Sequence, residues 1–195
     1  MTIWAFTGSV VLAIAAYVLL SGFLSTYRKY RGLRVITCPE NLDSAAVRVD
    51  ALRAAHWAAV SGDTVLRLDR CSRWPEMAGC GQECLSQIQA SPTGCAVSSI
   101  VESWYDGRAC ASCKQPIGAI VWHERPPAVR SSNGTTREWK DIPAEQLPAV
   151  FRTHDPVCFN CSLTERFERD HPDLIVSRAR PEEGHHTLSP SSTVY

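Results

Sequence analysis

CASCKQPIG, residues 110–118, sets two thiols at Cys-x-x-Cys spacing and follows them with lysine and a Pro-Ile-Gly turn. The same spacing returns as CFNC at 158–161, where the next residues, SLTERFERD, place Leu163 and Phe167 on one face of an expected helix. Each short loop can aim both of its sulfurs at one point, so Cys110, Cys113, Cys158 and Cys161 are candidate ligands of a single tetrahedral metal, zinc first among them. A helix opening on the second pair would turn backbone N–H groups toward thiolate sulfur. Two other readings stay open: a redox-active dithiol at Cys110 and Cys113, and four unrelated core cysteines. A thioredoxin-type centre needs a preceding strand in a βαβ setting, and no such setting is evident in the sequence. His123 and His154 share the stretch and are left outside the ligand set as neighbours or surface residues.

Between the pairs, Asn133-Gly134 separates two extended stretches within 126–139, a strong hairpin signal. A knuckle, a hairpin and a helix carrying the last ligands resemble the treble-clef zinc fingers over residues 108–170. The resemblance implies ligand roles for Cys110, Cys113, Cys158 and Cys161, and the long gap makes 142–153 an insertion or added helix.

The other decisive stretch is IWAFTGSVVLAIAAYVLLSGFL, residues 3–24, which carries no charge. Its twenty-two residues at helical rise cover about 33 Å, against a hydrocarbon core of roughly 30 Å. Trp4 stands at one end and Tyr27 and Tyr30 at the other, as interfacial aromatics do. A cleaved signal peptide, with Ala13-Ile14-Ala15 as the cleavage site, is the alternative, but MTI is no positive n-region and the apolar run continues past Ala15. The expectation is a single transmembrane anchor in the lipid bilayer. Arg28, Lys29, Arg31 and Arg34 follow it, which puts the C-terminal bulk in the cytoplasm of a cell with an inner membrane. A reducing cytosol turns paired thiols toward metals or catalysis and away from structural disulfides.

The chain has twenty basic and twenty acidic residues among its 195; without the four flanking positives, sixteen face twenty. No broad basic surface exists to neutralise phosphates, so nucleic-acid binding is not expected. The RKYRGLR cluster reads as a topology signal that also touches anionic headgroups. No carboxylate pair, Ser/His/Asp set, phosphate loop or haem motif is present, so no catalytic residue and no small-molecule substrate are assigned.

Local patterning predicts strands at 33–37, 45–50, 64–70 and 119–124. It predicts helices at 51–60, closed by Gly62, at 81–89, at 100–107 and at 161–170, with short helical turns after Pro143. The fold class is α+β: an N-terminal transmembrane helix, then a small cysteine-rich metal-binding domain. The expected divisions are an anchor at 1–27, a basic segment at 28–34, a cysteine-rich α+β unit at 35–98, a treble-clef-like unit at 99–178, and a disordered tail at 179–195.

Nine cysteines leave five beyond the first set. Cys38 and Cys71 end predicted strands, and Cys80 and Cys84 would share a helix face if a helix began near Gly79. These four form a candidate second site for zinc or, as the alternative, an iron–sulfur cluster, against a reading as small buried hydrophobes. Cys95 is read as a buried thiol, and Trp74, Trp104, Trp122 and Trp139 as core groups of a small domain. TCPE at 37–40, CSRWPEMAGCGQEC at 71–84, CASC and PVCFNC together resemble bacterial single-pass membrane proteins with a cysteine-rich cytosolic domain. The resemblance implies shared architecture and no particular reaction. The functional expectation is a membrane-anchored zinc protein that presents a surface to a protein partner, with electron transfer or redox sensing at Cys38, Cys71, Cys80 and Cys84 as the alternative and a dithiol oxidoreductase third.

Overall fold

The computed structural model describes residues 2–174 apart from Pro75 and Ala78, so the tail expected at 179–195 lies outside the described residues, as does the side chain of Trp4. Helix α1 (Thr2–Tyr30) is long and apolar enough to cross a membrane over Phe6–Tyr30, and its most apolar stretch is not buried in the protein. A chain turn at Arg31 and Gly32 leads into β1 (Leu33–Thr37), then β2 (Ser44–Val49), α2 (Ala51–Ser61) and β3 (Leu68–Cys71). These strands form an antiparallel sheet in the order β1-β2-β3. Next come α3 (Leu85–Ala90) and α4 (Val97–Tyr105). A second antiparallel sheet, ordered β5-β4-β6, combines β4 (Ala128–Ser131), β5 (Thr136–Glu138) and β6 (His154–Val157). Helix α5 (Leu147–Thr153) precedes β6, and α6 (Phe159–Asp170) follows it.

Alternation in β2 explains the join between the two halves. Ala45, Val47 and Val49 enter one core with Ile36, Leu68, Ile88 and Tyr30, while Ala46 on the opposite face enters another with Val101, Trp104, Tyr105 and Val129. The hairpin β1–β2 is therefore covered on both sides, and the units expected at 35–98 and 99–178 share it. In the second core Trp104 stacks on Phe151 and meets Tyr105 and Trp139 edge-on, at ring separations of 5.2, 4.9 and 5.9 Å. Buried Tyr105 donates its hydroxyl to the Ala128 carbonyl at 2.5 Å and accepts the Trp139 indole N–H at 3.1 Å.

Helix α2 shows how α1 is fixed to the domain. Asp50 caps it by accepting the Arg53 N–H at 2.9 Å, and Gly62 ends it at φ 78°, a conformation that costs other residues strain. Its small buried residues, Ala51, Ala54 and Ala55, let the helix pack against α1 close to Tyr27 and Tyr30. Arg34 corrects the reading of the basic cluster. It is 1% exposed and donates to the carbonyls of Lys29 and Tyr30 at 2.6 Å each, closing the C-terminal end of α1. A buried guanidinium whose Nη atoms are bound to carbonyls is not a contact for lipid headgroups. The segment 28–34 is divided between α1 and β1.

Three other expectations change. Of the predicted 64–70 strand only residues 68–70 lie in β3, which runs on to Cys71 and pairs with β2 across a register shift at Arg48/Val49. AIVWHE at 119–124 forms no strand; Val121 and Arg125 close a turn instead. The helix predicted at 81–89 begins only at Leu85, since Gln82 takes φ 57° and Cys84 is the N-cap.

Candidate metal centre

The first Cys-x-x-Cys pair sits in a knuckle with its own backbone pairing. Cys110 N–H donates to the Gln115 carbonyl at 2.9 Å and Lys114 N–H to that of Cys110 at 3.0 Å. Lys114 holds φ 62°, the left-handed step that folds the chain back beneath the thiols. The second pair opens α6, with Cys158 as N-cap and Cys161 in the first turn. What joins them is short: Ala111 N–H donates to the Pro156 carbonyl at 2.8 Å, and Cys158 N–H to the Cys110 sulfur at 3.3 Å.

The four sulfurs of Cys110, Cys113, Cys158 and Cys161 all lie within 4.8 Å of one another, with Cys113 and Cys158 3.8 Å apart. Four thiolates placed tetrahedrally about 2.3 Å from one ion stand about 3.8 Å from each other, so this group could hold a metal. Among the described residues it is the one such group of histidine, cysteine and acidic side chains, and neither His123 nor His154 belongs to it. All nine cysteines are free thiols.

The electrostatics fit a cation. Burial opposes ionisation of Cys110, but the backbone N–H groups of Cys158, Cys113 and Ser112 and the thiol of Cys158 bring it down to about 6. Burial pushes Cys161 up to about 12, helped by hydrogen bonds to Cys158, Cys113 and Cys110 and by the charge on Cys110. Burial also raises Cys158. Protein groups alone thus favour a thiolate at Cys110 and oppose one at Cys158 and Cys161, which a positive ion among the sulfurs would reverse.

Sequence reasoning missed the groups that clamp this unit. Glu165, four residues after Cys161 on α6, accepts Ser112 of the knuckle at 3.1 Å, together with Arg130 of β4 and Thr136 of β5. Arg130 also donates to Ser112. Glu138 of β5 binds Arg166 of α6 at 2.5 Å. The i, i+4 placement of Glu165 after Cys161 was the available signal. Leu163 and Phe167, expected on one apolar face of the helix, are about half exposed at 47% and 50%.

The second candidate set is arranged differently. Cys38, Cys71, Cys80 and Cys84 line one cavity of about 140 Å³, although their sulfurs are not gathered as tightly as the first four. Cys84 is buried and the other three are half-buried. Burial, followed by the nearness of Cys71, Cys80 and Cys38, pushes the Cys84 thiol up to about 11. Cys95 lies apart, half-buried on the first core with its sulfur 3.8 Å from the Gln87 carbonyl. Trp74, Trp104, Trp122 and Trp139 all pack on the two cores, as expected. The chain matches no family model, no curated protein and no solved structure.

Proposed function

We propose that this is a membrane-anchored, cytosol-facing protein whose C-terminal unit is organised around one structural zinc ion at Cys110, Cys113, Cys158 and Cys161. The observation that carries this reading is the gathering of the four sulfurs within 4.8 Å. Thiolates on an iron–sulfur cluster bind separate irons and stand further apart, which favours a single ion here. Four thiolates leave zinc no open position for water, so the metal folds the unit and performs no hydrolysis. A dithiol exchange centre is disfavoured, because Cys110 is 0% exposed and the CASC turn opens no helix. Knuckle, hairpin and ligand-bearing helix support a treble-clef arrangement with α5 and β6 inserted.

Anchoring rests on α1, whose apolar side chains from Phe6 to Leu20 are exposed to the surroundings. Arg28, Lys29 and Arg31 flank it and favour a cytoplasmic C-terminal domain in an inner membrane. The work of such a protein is to present its surface to a partner, as an accessory subunit of a membrane complex. The test is full-length protein purified in detergent, wild type beside Cys113→Ser, with bound metal measured and cobalt exchanged for zinc. Thiolate-to-cobalt absorption of a tetrahedral centre in wild type, lost in Cys113→Ser, supports the reading. A metal-free, fully folded wild type carrying a Cys110–Cys113 disulfide overturns it.

A further inference from the structure

β1, which Cys38 follows, and β3, which ends in Cys71, both run antiparallel to β2, so they are parallel to each other and deliver Cys38 and Cys71 toward the same end of the sheet. Two glutamines then fasten the Cys80–Cys84 loop to those strands. Gln82 accepts the Leu68 N–H at 3.0 Å. Gln87 grips Thr37, the residue before Cys38, accepting its N–H at 3.1 Å and donating to its carbonyl at 2.7 Å. Gln82 holds its left-handed conformation inside CGQEC, which turns the chain between the two thiols without a helix.

The cavity that these four cysteines line is not ordinary core. Protein interiors are close-packed, and cysteines used as small hydrophobes fill volume. These four instead line a cavity of about 140 Å³, together with Ile36, Leu68 and Met77, roughly ten times what one water requires. Arg73 lines the same space; its Nη1 lies 3.7 Å from the Asp43 carboxylate, while its Nε is buried without a hydrogen-bond partner. That unpaired N–H donor suits an occupant that offers acceptor sulfur, as a metal held by thiolates does.

We infer that Cys38, Cys71, Cys80 and Cys84 form a second thiolate centre that binds a thiophilic metal, separate from the Cys110/Cys113/Cys158/Cys161 group. The shared chemistry is four sulfur donors. A single zinc ion and an iron–sulfur cluster are the two forms of occupant.

The experiment uses full-length protein purified anaerobically in detergent: wild type, Cys80→Ser, Cys38→Ser and Cys113→Ser. Zinc, iron and acid-labile sulfide are measured per chain beside the visible spectrum. Cys80 and Cys38 are half-buried positions at a loop and a strand end, which makes these replacements milder than that of Cys84. The expected result is two centres in wild type and loss of one in both Cys38→Ser and Cys80→Ser, while the first centre keeps its cobalt-exchange spectrum. A second zinc equivalent identifies an ion; brown absorption bleached by dithionite identifies a cluster. Wild type with one centre, untouched by Cys38→Ser and Cys80→Ser, overturns the inference. One centre lost in Cys80→Ser and kept in Cys113→Ser would sustain it and overturn the reading of the first group instead.

Discussion

Glu165 is the side chain through which the knuckle, the hairpin and α6 are held in register, and its replacement has a magnitude that can be worked out. Its carboxylate accepts from Ser112, Arg130 and Thr136, groups on three different elements. Side-chain exposures of 24% for Arg130 and 25% for Glu165 place the ion pair between a surface pair and a buried one. Surface pairs contribute about 0–1 kcal/mol and hydrogen bonds to charged groups about 1.5–3 kcal/mol, so about 1 kcal/mol per bond is a discounted value. Glu165→Ala then loses about 3 kcal/mol of order in the ligand-bearing unit. Because folding and metal binding draw on the same free energy, and about 1.4 kcal/mol is a factor of ten, zinc affinity should fall about 100-fold. Glu165→Gln keeps the shape without the charge and should fall about tenfold. The assay is competition with a chromophoric chelator on full-length protein at fixed pH and salt. The cobalt spectrum should keep its shape, since all four sulfurs remain. Affinity within about threefold of wild type in Glu165→Ala, or a changed cobalt spectrum, would refute the clamp.

The remaining expectations concern stability. Arg34→Met leaves the carbonyls at the end of α1 without their donor; about 2–3 kcal/mol is lost, read as a fall of roughly 5–10 °C in Tm, and an unchanged Tm would contradict the cap. Gly62→Ala meets no neighbour within 4 Å, so its cost is the left-handed backbone alone, about 1 kcal/mol in thermal unfolding; a stabilised variant would contradict the αL assignment. Burial raises the Tyr105 hydroxyl above its ordinary value, although the Trp139 N–H lowers it. The folded chain therefore keeps a proton that the unfolded chain releases. That contribution is complete below about pH 10 and is lost as pH rises, with a slope of up to about 1.4 kcal/mol per pH unit. Tyr105→Phe should show a flatter alkaline limb, and equal slopes in the two proteins would count against the buried hydroxyl.

Elements whose sequences carry their own instructions were legible. Alternation marked β1 and β2, alanine density and Gly62 bounded α2, and Asn133-Gly134 marked the β4–β5 turn, where Gly134 takes φ 82°. The spacing of CASC and CFNC named the four sulfurs that gather, because each loop is a local device; their meeting depends on the Ala111–Pro156 bond, which no local pattern announces. AIVWHE has strand-forming residues, yet propensity makes no strand without a partner edge, and the chain turns back at Val121 and Arg125 instead. Arg34 was visible as a charge, but its burial follows from the path of the chain between α1 and β1. Cys80 and Cys84 were paired through an expected helix that Gln82 prevents; they reach one cavity through a loop pinned by Gln82 and Gln87.

X-ray absorption at the zinc edge of the full-length, detergent-purified protein asks most directly whether one ion sits among Cys110, Cys113, Cys158 and Cys161. The account predicts at least one zinc per chain with a first shell of four sulfurs at about 2.3 Å, and loss of a full sulfur shell when Cys113→Ser is measured beside it. Nitrogen or oxygen in the wild-type shell, or zinc well below one per chain with the fold intact, would contradict it.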